Sequence, residues 1–194
     1  MKITVIGGGS TYTPELVDGF LRRVSSFPLK ELWLMDIDPQ RLNIVGGFAQ
    51  RMAKAKGSPF QVILSTSQRE AIQGASYVIT QLRVGMMPAR RNDEYLGKRH
   101  GLIGQETTGV GGMAKALRTM APGALLANFT NPAGLVAEAL FRYAPGIPAV
   151  GVCNSGIGMK MALLERLGKI VPGLEKPITE NRLRLDTLGL NHLT

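Results

Sequence analysis

The chain has 194 residues, 44% of them hydrophobic, with a formal net charge of +9 and a single cysteine. That length supports one sizeable core, or a nucleotide-binding domain with the start of a second. The lone cysteine excludes an intrachain disulfide framework, as expected of a cytoplasmic protein. The basic residues are scattered among acids and apolar positions, and aromatic residues make up only 6%, so neither nucleic acid nor a membrane is an expected partner.

Met1-Lys2 is expected to enter an apolar strand directly in place of a signal peptide, and no apolar run in the sequence is long enough to span a bilayer. The strand Ile3-Thr4-Val5-Ile6 enters the turn Gly7-Gly8-Gly9-Ser10-Thr11, and a helix follows. This order places backbone N–H groups and a helix N-terminus where a dinucleotide pyrophosphate would sit. Gly7 and Gly9 permit the tight turn and the close approach of a phosphate. Thr13 is expected to cap the helix, Pro14 to occupy its first position, and Glu15 to favour the positive end of its dipole. Tyr12 stands where the third glycine of the dinucleotide fingerprint would be.

The next apolar run, Glu31-Leu32-Trp33-Leu34-Met35, ends in Asp36. An acid at the end of the second strand is the group that holds the adenosine ribose hydroxyls, and it favours NAD over NADP. Arg41 is near enough in sequence to keep that choice open. A helix is predicted over 39–56, a third strand over 60–64, a short helix over 69–73 capped by Ser67, and a fourth strand over 76–82. Strands over 124–129 and 148–152 follow, with helices starting at Pro132 and near Ile157, and a half-exposed strand over 182–186. Strands alternating with helices predict an α/β fold, a Rossmann-like doubly wound, mostly parallel sheet. Residues 1–154 are expected to form an NAD-binding domain, and 155–194 to start a second, α+β domain for the substrate.

Polar groups gather where the predicted strands end, the edge at which open α/β sheets bind ligands. Arg83 closes the fourth strand, and Arg90 or Arg91 offers a bidentate clamp for phosphate or hydroxyls. These arginines and Glu106 read equally well as a solvated loop with local ion pairs. Asn131 sits before a helix, as a cap or a substrate ligand. Cys153-Asn154 follows the sixth strand, and His192 lies near the end of the chain. A lone cysteine at a strand end is usually a small buried residue, yet a thiolate and an imidazole at loop ends are also metal donors.

The set Ile6-Gly7-Gly8-Gly9-Ser10-Thr11-Tyr12-Thr13-Pro14-Glu15-Leu16, Arg83-Val84-Gly85, Gly104-Gln105-Glu106-Thr107, Asn128-Phe129-Thr130-Asn131-Pro132-Ala133, Cys153-Asn154 and Gly189-Leu190-Asn191-His192 resembles glycoside hydrolase family four. The resemblance follows the family's order along essentially the whole chain. It implies an NAD- and metal-dependent 6-phospho-glycosidase, an exception to the two-carboxylate scheme of most glycosidases. It further implies that Cys153 and His192 hold a divalent metal, usually Mn²⁺, and that Arg90 and Asn131 bind substrate. Glu106 would tune a tyrosine base, and Gly7, Gly9, Ser10, Thr11, Asp36, Arg41 and Arg83 would surround NAD. Asn154 stands where α-specific members tend to have Asp, which points to the 6-phospho-β-glucosidase branch.

The implied reaction is oxidation at C3 of the sugar by NAD, removal of the C2 proton, elimination of the aglycone, addition of water, and return of the hydride. The implied substrate is a phosphorylated disaccharide or aryl 6-phospho-glucoside, and the implied assembly a dimer or tetramer. The family's tyrosine matches a position beyond Thr194, and Tyr12, Tyr77, Tyr95 and Tyr143 do not correspond to it. The family also carries a further helix between Met120 and Ala121. Two other functions share the nucleotide half: a lactate/malate-type dehydrogenase, and a non-catalytic NAD-binding fragment.

Overall fold

The computed structural model describes residues 1–82, 121–130 and 133–171, together with Pro88, Arg91 and Tyr95. Six strands, β1 (Lys2–Ile6), β2 (Glu31–Met35), β3 (Gln61–Ser65), β4 (Tyr77–Thr80), β5 (Leu125–Asn128) and β6 (Ala149–Gly151), form one sheet. Their order is β3-β2-β1-β4-β5-β6, and every pairing is parallel. This is the doubly wound dinucleotide-binding order, as the alternation of strands and helices predicts. The intervening helices are α1 (Thr13–Leu21), α2 (Pro39–Ala55), α3 (Gln68–Ile72) and α4 (Ala133–Tyr143).

Both faces of the sheet are covered because successive strand residues point opposite ways. Ile3, Val5, Leu32 and Leu34 face one side and pack with Val17 of α1 and Leu42 and Ala49 of α2. Ile6, Met35, Val78 and Leu126 face the other, against Ile72 of α3 and Val136 and Leu140 of α4. Each fully buried side chain of this size contributes about 1.5–3 kcal/mol. Thr4, wholly buried on β1, satisfies its hydroxyl by donating to the Ala71 carbonyl at the end of α3 (2.5 Å).

The register pairs Ile6 with Met35 and with Thr80, and Thr80 with Asn128. The strands therefore end level, and Gly7, Asp36, Gln81 and Phe129 emerge along one edge. Their caps are largely local. Asp38 accepts the N–H groups of Gln40 and Arg41 ahead of Pro39, and Ser67 accepts that of Glu70.

Three expectations need correction. Thr13 does not cap α1: Tyr12 holds the cap position in helical geometry with no side-chain bond, while the Thr13 hydroxyl turns inward and donates to the Gly8 carbonyl. β4 stops at Thr80, because the N–H of Leu82 goes to the Thr130 hydroxyl instead of a neighbouring strand. Cys153 is exposed, not a small buried residue. The predicted strand over 182–186 and most of residues 83–112, between the fourth and fifth predicted strands, lie outside the described residues.

By contact density the chain divides into two compact units, Met1–Val152 and Cys153–Thr194. The first holds the sheet. In the second, the described element is α5 (Ser155–Gly168). No described helix is long and apolar enough to cross a membrane.

Candidate nucleotide site

The glycine turn is built from both ends. Gly7 has φ +93°, and a Cβ there would overlap the backbone carbonyl of Gln81. A Cβ on Gly9 would lie 2.8 Å from the Asp36 carboxylate and 3.1 Å from Cβ of Arg41. The glycines thus allow the turn to approach β4 and the end of β2 more closely than any side chain permits.

Where the turn's N–H groups go differs from the expectation that they face a phosphate. Gly7 and Gly8 both donate to the Met35 carbonyl (2.9 and 2.8 Å), and Ser10 donates to the Gly7 carbonyl (3.0 Å). Gly9 donates to Oδ2 of Asp36 (2.8 Å). The Ser10 hydroxyl accepts the N–H of Tyr12, at 3.3 Å. The N–H groups of Thr11 and Glu15 make no bond to a described residue. They are the backbone donors that the start of α1 still presents, beside the hydroxyls of Ser10 and Thr11.

Asp36 holds the opposite side of the turn. Its second oxygen, Oδ1, accepts the N–H of Asp38 at 3.0 Å. Each carboxylate oxygen has capacity for a further donor, so the group can hold the turn and still accept ribose hydroxyls. Arg41 lies in the first turn of α2, exposed, with its N–H on Asp38. The structure thus brings Gly7, Gly9, Ser10, Thr11, Asp36 and Arg41 to one edge of the sheet.

Sequence reasoning overlooked two polar clusters at this edge. Gln81 donates from Nε2 to the Gly7 carbonyl (3.2 Å) and to the Thr13 hydroxyl (2.7 Å). Further along, Asn128, 1% exposed, accepts the Thr80 hydroxyl (2.7 Å) and the Thr130 N–H (3.2 Å), and donates to the Thr130 carbonyl (2.9 Å). Thr130 in turn bonds Leu82. The stems that lead to Arg83 and Asn131 are thereby tied to each other. Tyr12 packs edge-on against Phe129 with ring centroids 5.9 Å apart, joining the glycine turn to the Asn128-Phe129-Thr130 segment. Arg91 places its guanidinium 5.5 Å from the Tyr95 ring.

Arg83, Arg90, Glu106, Asn131 and His192 lie outside the described residues. Within the second unit, Asn154 occupies the cap position of α5 but makes no side-chain cap bond. The Cys153 thiol lies 3.1 Å from the Ser155 hydroxyl. The described residues contain no group of three or more His, Cys, Asp or Glu that could hold a metal ion.

Comparison with known proteins extends this geometry. The model of a family described as Family 4 glycosyl hydrolase matches residues 2–169. A probable 6-phospho-beta-glucosidase from Bacillus subtilis (strain 168) is 43% identical over 208 aligned positions, covering all of this chain and 45% of the relative. The chain therefore spans about half the length of the curated relatives it matches. The 6-phospho-beta glucosidase from Thermotoga maritima, solved with manganese, NAD+ and glucose-6-phosphate, superposes with a TM-score of 0.75 at 37% identity, over 87% of this chain and 44% of that one. The malate dehydrogenase of Picrophilus torridus superposes with a TM-score of 0.63 at 19% identity, over 86% and 50% of the two chains, a likeness of fold alone.

Proposed function

The chain belongs to the family 4 glycosyl hydrolases, and from that membership we propose that it forms the nucleotide-holding part of an NAD-dependent 6-phospho-β-glucosidase. The observation that carries this is the pairing of Asp36 with the glycine turn. A carboxylate at the end of β2 is fixed against Gly9 while keeping acceptor capacity, beside a helix start with open N–H groups. That arrangement fits a dinucleotide: ribose hydroxyls on Asp36, pyrophosphate on Thr11, Ser10 and the start of α1. The acid at this position supports NAD, with Arg41 at the rim of the same site.

In this function NAD, when bound, supplies the acceptance and return of hydride at the sugar. Arg83 and the turn hold the cofactor, Arg90, Asn131 and Asn154 bind the phosphorylated glucoside, and Glu106 tunes the base. Cys153 and His192 are the proposed Mn²⁺ ligands. Of these two only Cys153 is described, and its exposed thiol beside Ser155 fits a donor that is completed by groups from elsewhere in the protein. The substrate is a phosphorylated disaccharide or an aryl 6-phospho-β-glucoside, and the working form a homo-oligomer in the cytoplasm.

The test has two parts. Calorimetry on the 194-residue chain is expected to show NAD binding. The full-length polypeptide is expected to cleave an aryl 6-phospho-β-glucoside only with NAD and Mn²⁺, with aglycone release and no net NADH. Cleavage that persists after both are removed refutes the mechanism, and net NADH formation from a hydroxy acid identifies a dehydrogenase instead.

A further inference from the structure

We infer that Thr13 and Gln81 are positioning residues for the dinucleotide, acting by fixing the plane of the Gly8–Gly9 peptide. This rests on the NAD-binding function proposed above. The direction of each hydrogen bond in the cluster is determined. The Gly7 and Gly8 carbonyls can only accept. The Gln81 atom 3.2 Å from the Gly7 oxygen must therefore be Nε2, and it also donates to Thr13 Oγ1 at 2.7 Å. Thr13, whose oxygen accepts that hydrogen bond, donates its own O–H to the Gly8 carbonyl at 2.9 Å. The result is a one-way relay, Gln81 to Thr13 to Gly8, in which each bond strengthens the next.

The far side of the same peptide is pinned as well. Its N–H, that of Gly9, donates to Oδ2 of Asp36 at 2.8 Å. Rotating the Gly8–Gly9 peptide breaks both bonds at once. Thr13 thus decides which way the Gly9 N–H points, and through it how the Asp36 carboxylate is turned toward a ribose. Thr13 is wholly buried, so it reaches a bound dinucleotide only through this peptide. The role needs a hydroxyl that accepts and donates together: serine can fill it, whereas valine, of nearly the same shape, does neither.

The experiment is an NAD titration by calorimetry on the 194-residue chain, at a temperature where circular dichroism shows every variant folded. Thr13→Ser should bind NAD within about threefold of wild type. Thr13→Val should bind at least tenfold more weakly, and the Gly9 amide should exchange its hydrogen faster. Gln81→Met removes the first donor and should weaken binding in the same direction, which keeps the test available if Thr13→Val does not fold. Val136→Ala removes packing beneath α4 and should lower stability while leaving NAD affinity at the wild-type value. Wild-type affinity in both Thr13→Val and Gln81→Met overturns the inference, as does an equal loss in Val136→Ala or in Thr13→Ser. If the wild-type chain itself fails to bind NAD, the proposed function falls, and this role with it.

Discussion

Replacing Gly7 by alanine tests whether the turn is held by its approach to β4. Two costs arise at this position. The φ of +93° lies in the left-handed region, which costs an L-residue about 1–2 kcal/mol. The added methyl also meets the carbonyl of Gln81, with the carbonyl carbon 2.8 Å away. That carbonyl belongs to backbone held by the Gln81 N–H bond to Ile6, so it cannot swing aside as a side chain would. Forcing a methyl into packed backbone costs about 1–3 kcal/mol more, for a total near ~3–4 kcal/mol.

Gly57 supplies the control, with φ +80° and nothing within 4 Å of its virtual Cβ. Gly57→Ala therefore carries only the first cost, about 1–2 kcal/mol. In a chain of this length each kcal/mol lowers Tm by roughly 2–4 °C. Thermal unfolding should show Gly7→Ala falling by ~10 °C and Gly57→Ala by ~4 °C. Gly7→Ala should also lose NAD affinity, because the Gly7 carbonyl that receives Gln81 has moved. Equal Tm losses in the two variants would refute the argument from close approach, since the turn would then have relaxed away from β4 without penalty.

Three other outcomes follow from single groups. Asp36→Asn removes the charge and sets an amide NH₂ against one of two backbone donors; losing a hydrogen bond to a charged acceptor, about 1.5–3 kcal/mol, should raise the calorimetric Kd for NAD by roughly 10- to 100-fold, and an unchanged Kd would remove Asp36 from the site. Asn128→Ala strands the Thr80 hydroxyl and the Thr130 N–H in a site that is 1% exposed. At about 1–3 kcal/mol for each unsatisfied group, denaturant unfolding should register ~3 kcal/mol, and a loss under ~1 kcal/mol would mean that the network is not formed in solution.

Lys2 gives a pH dependence. Its ammonium donates to the Glu70 and Gln73 carbonyls and lies 3.9 Å from the Trp33 ring centroid, and burial lowers its pKa below 10.5 against the opposing pull of Glu31. Because the unfolded chain holds this proton to higher pH than the folded one, Lys2 contributes a rise in stability as pH climbs toward 10.5. The stability of Lys2→Met should lack that rise, and parallel wild-type and variant curves from pH 7 to 10.5 would exclude it.

What could be read in advance divides by the distance over which a residue finds its partner. Ser67 and its helix were legible because the cap and the N–H it receives are three residues apart. Asp38 carried the same kind of signal, an acid ahead of Pro39 with its partners two and three residues on, and it marks α2 by the same rule. The sheet order was legible at the level of fold class because alternation and turn positions leave few right-handed arrangements. Thr13 was not. A threonine before a proline at a helix start has two uses, to cap the helix or to turn inward. The choice is made by Gln81, 68 residues away in sequence. Asn128 is alike: its local Asn-Phe-Thr spacing shows a turn, while its bond to Thr80 spans 48 residues.

Tyr12 shows the same division at the position where the fingerprint's third glycine is absent. That glycine ordinarily lets the first helix pack closely on the first strand, so a tyrosine there would separate the two. In this chain Tyr12 is 53% exposed and its ring leans on Phe129. The helix–strand contact is made one turn later by Val17, which is wholly buried against β1 and β2. Tyr12 therefore does not defeat the nucleotide turn. It uses the space above the sheet edge to brace the turn against the end of β5, the strand whose continuation carries Asn131. Two motifs that stand more than a hundred residues apart in the chain are in contact through those rings, and that contact puts the proposed cofactor turn beside the stem of the proposed substrate loop.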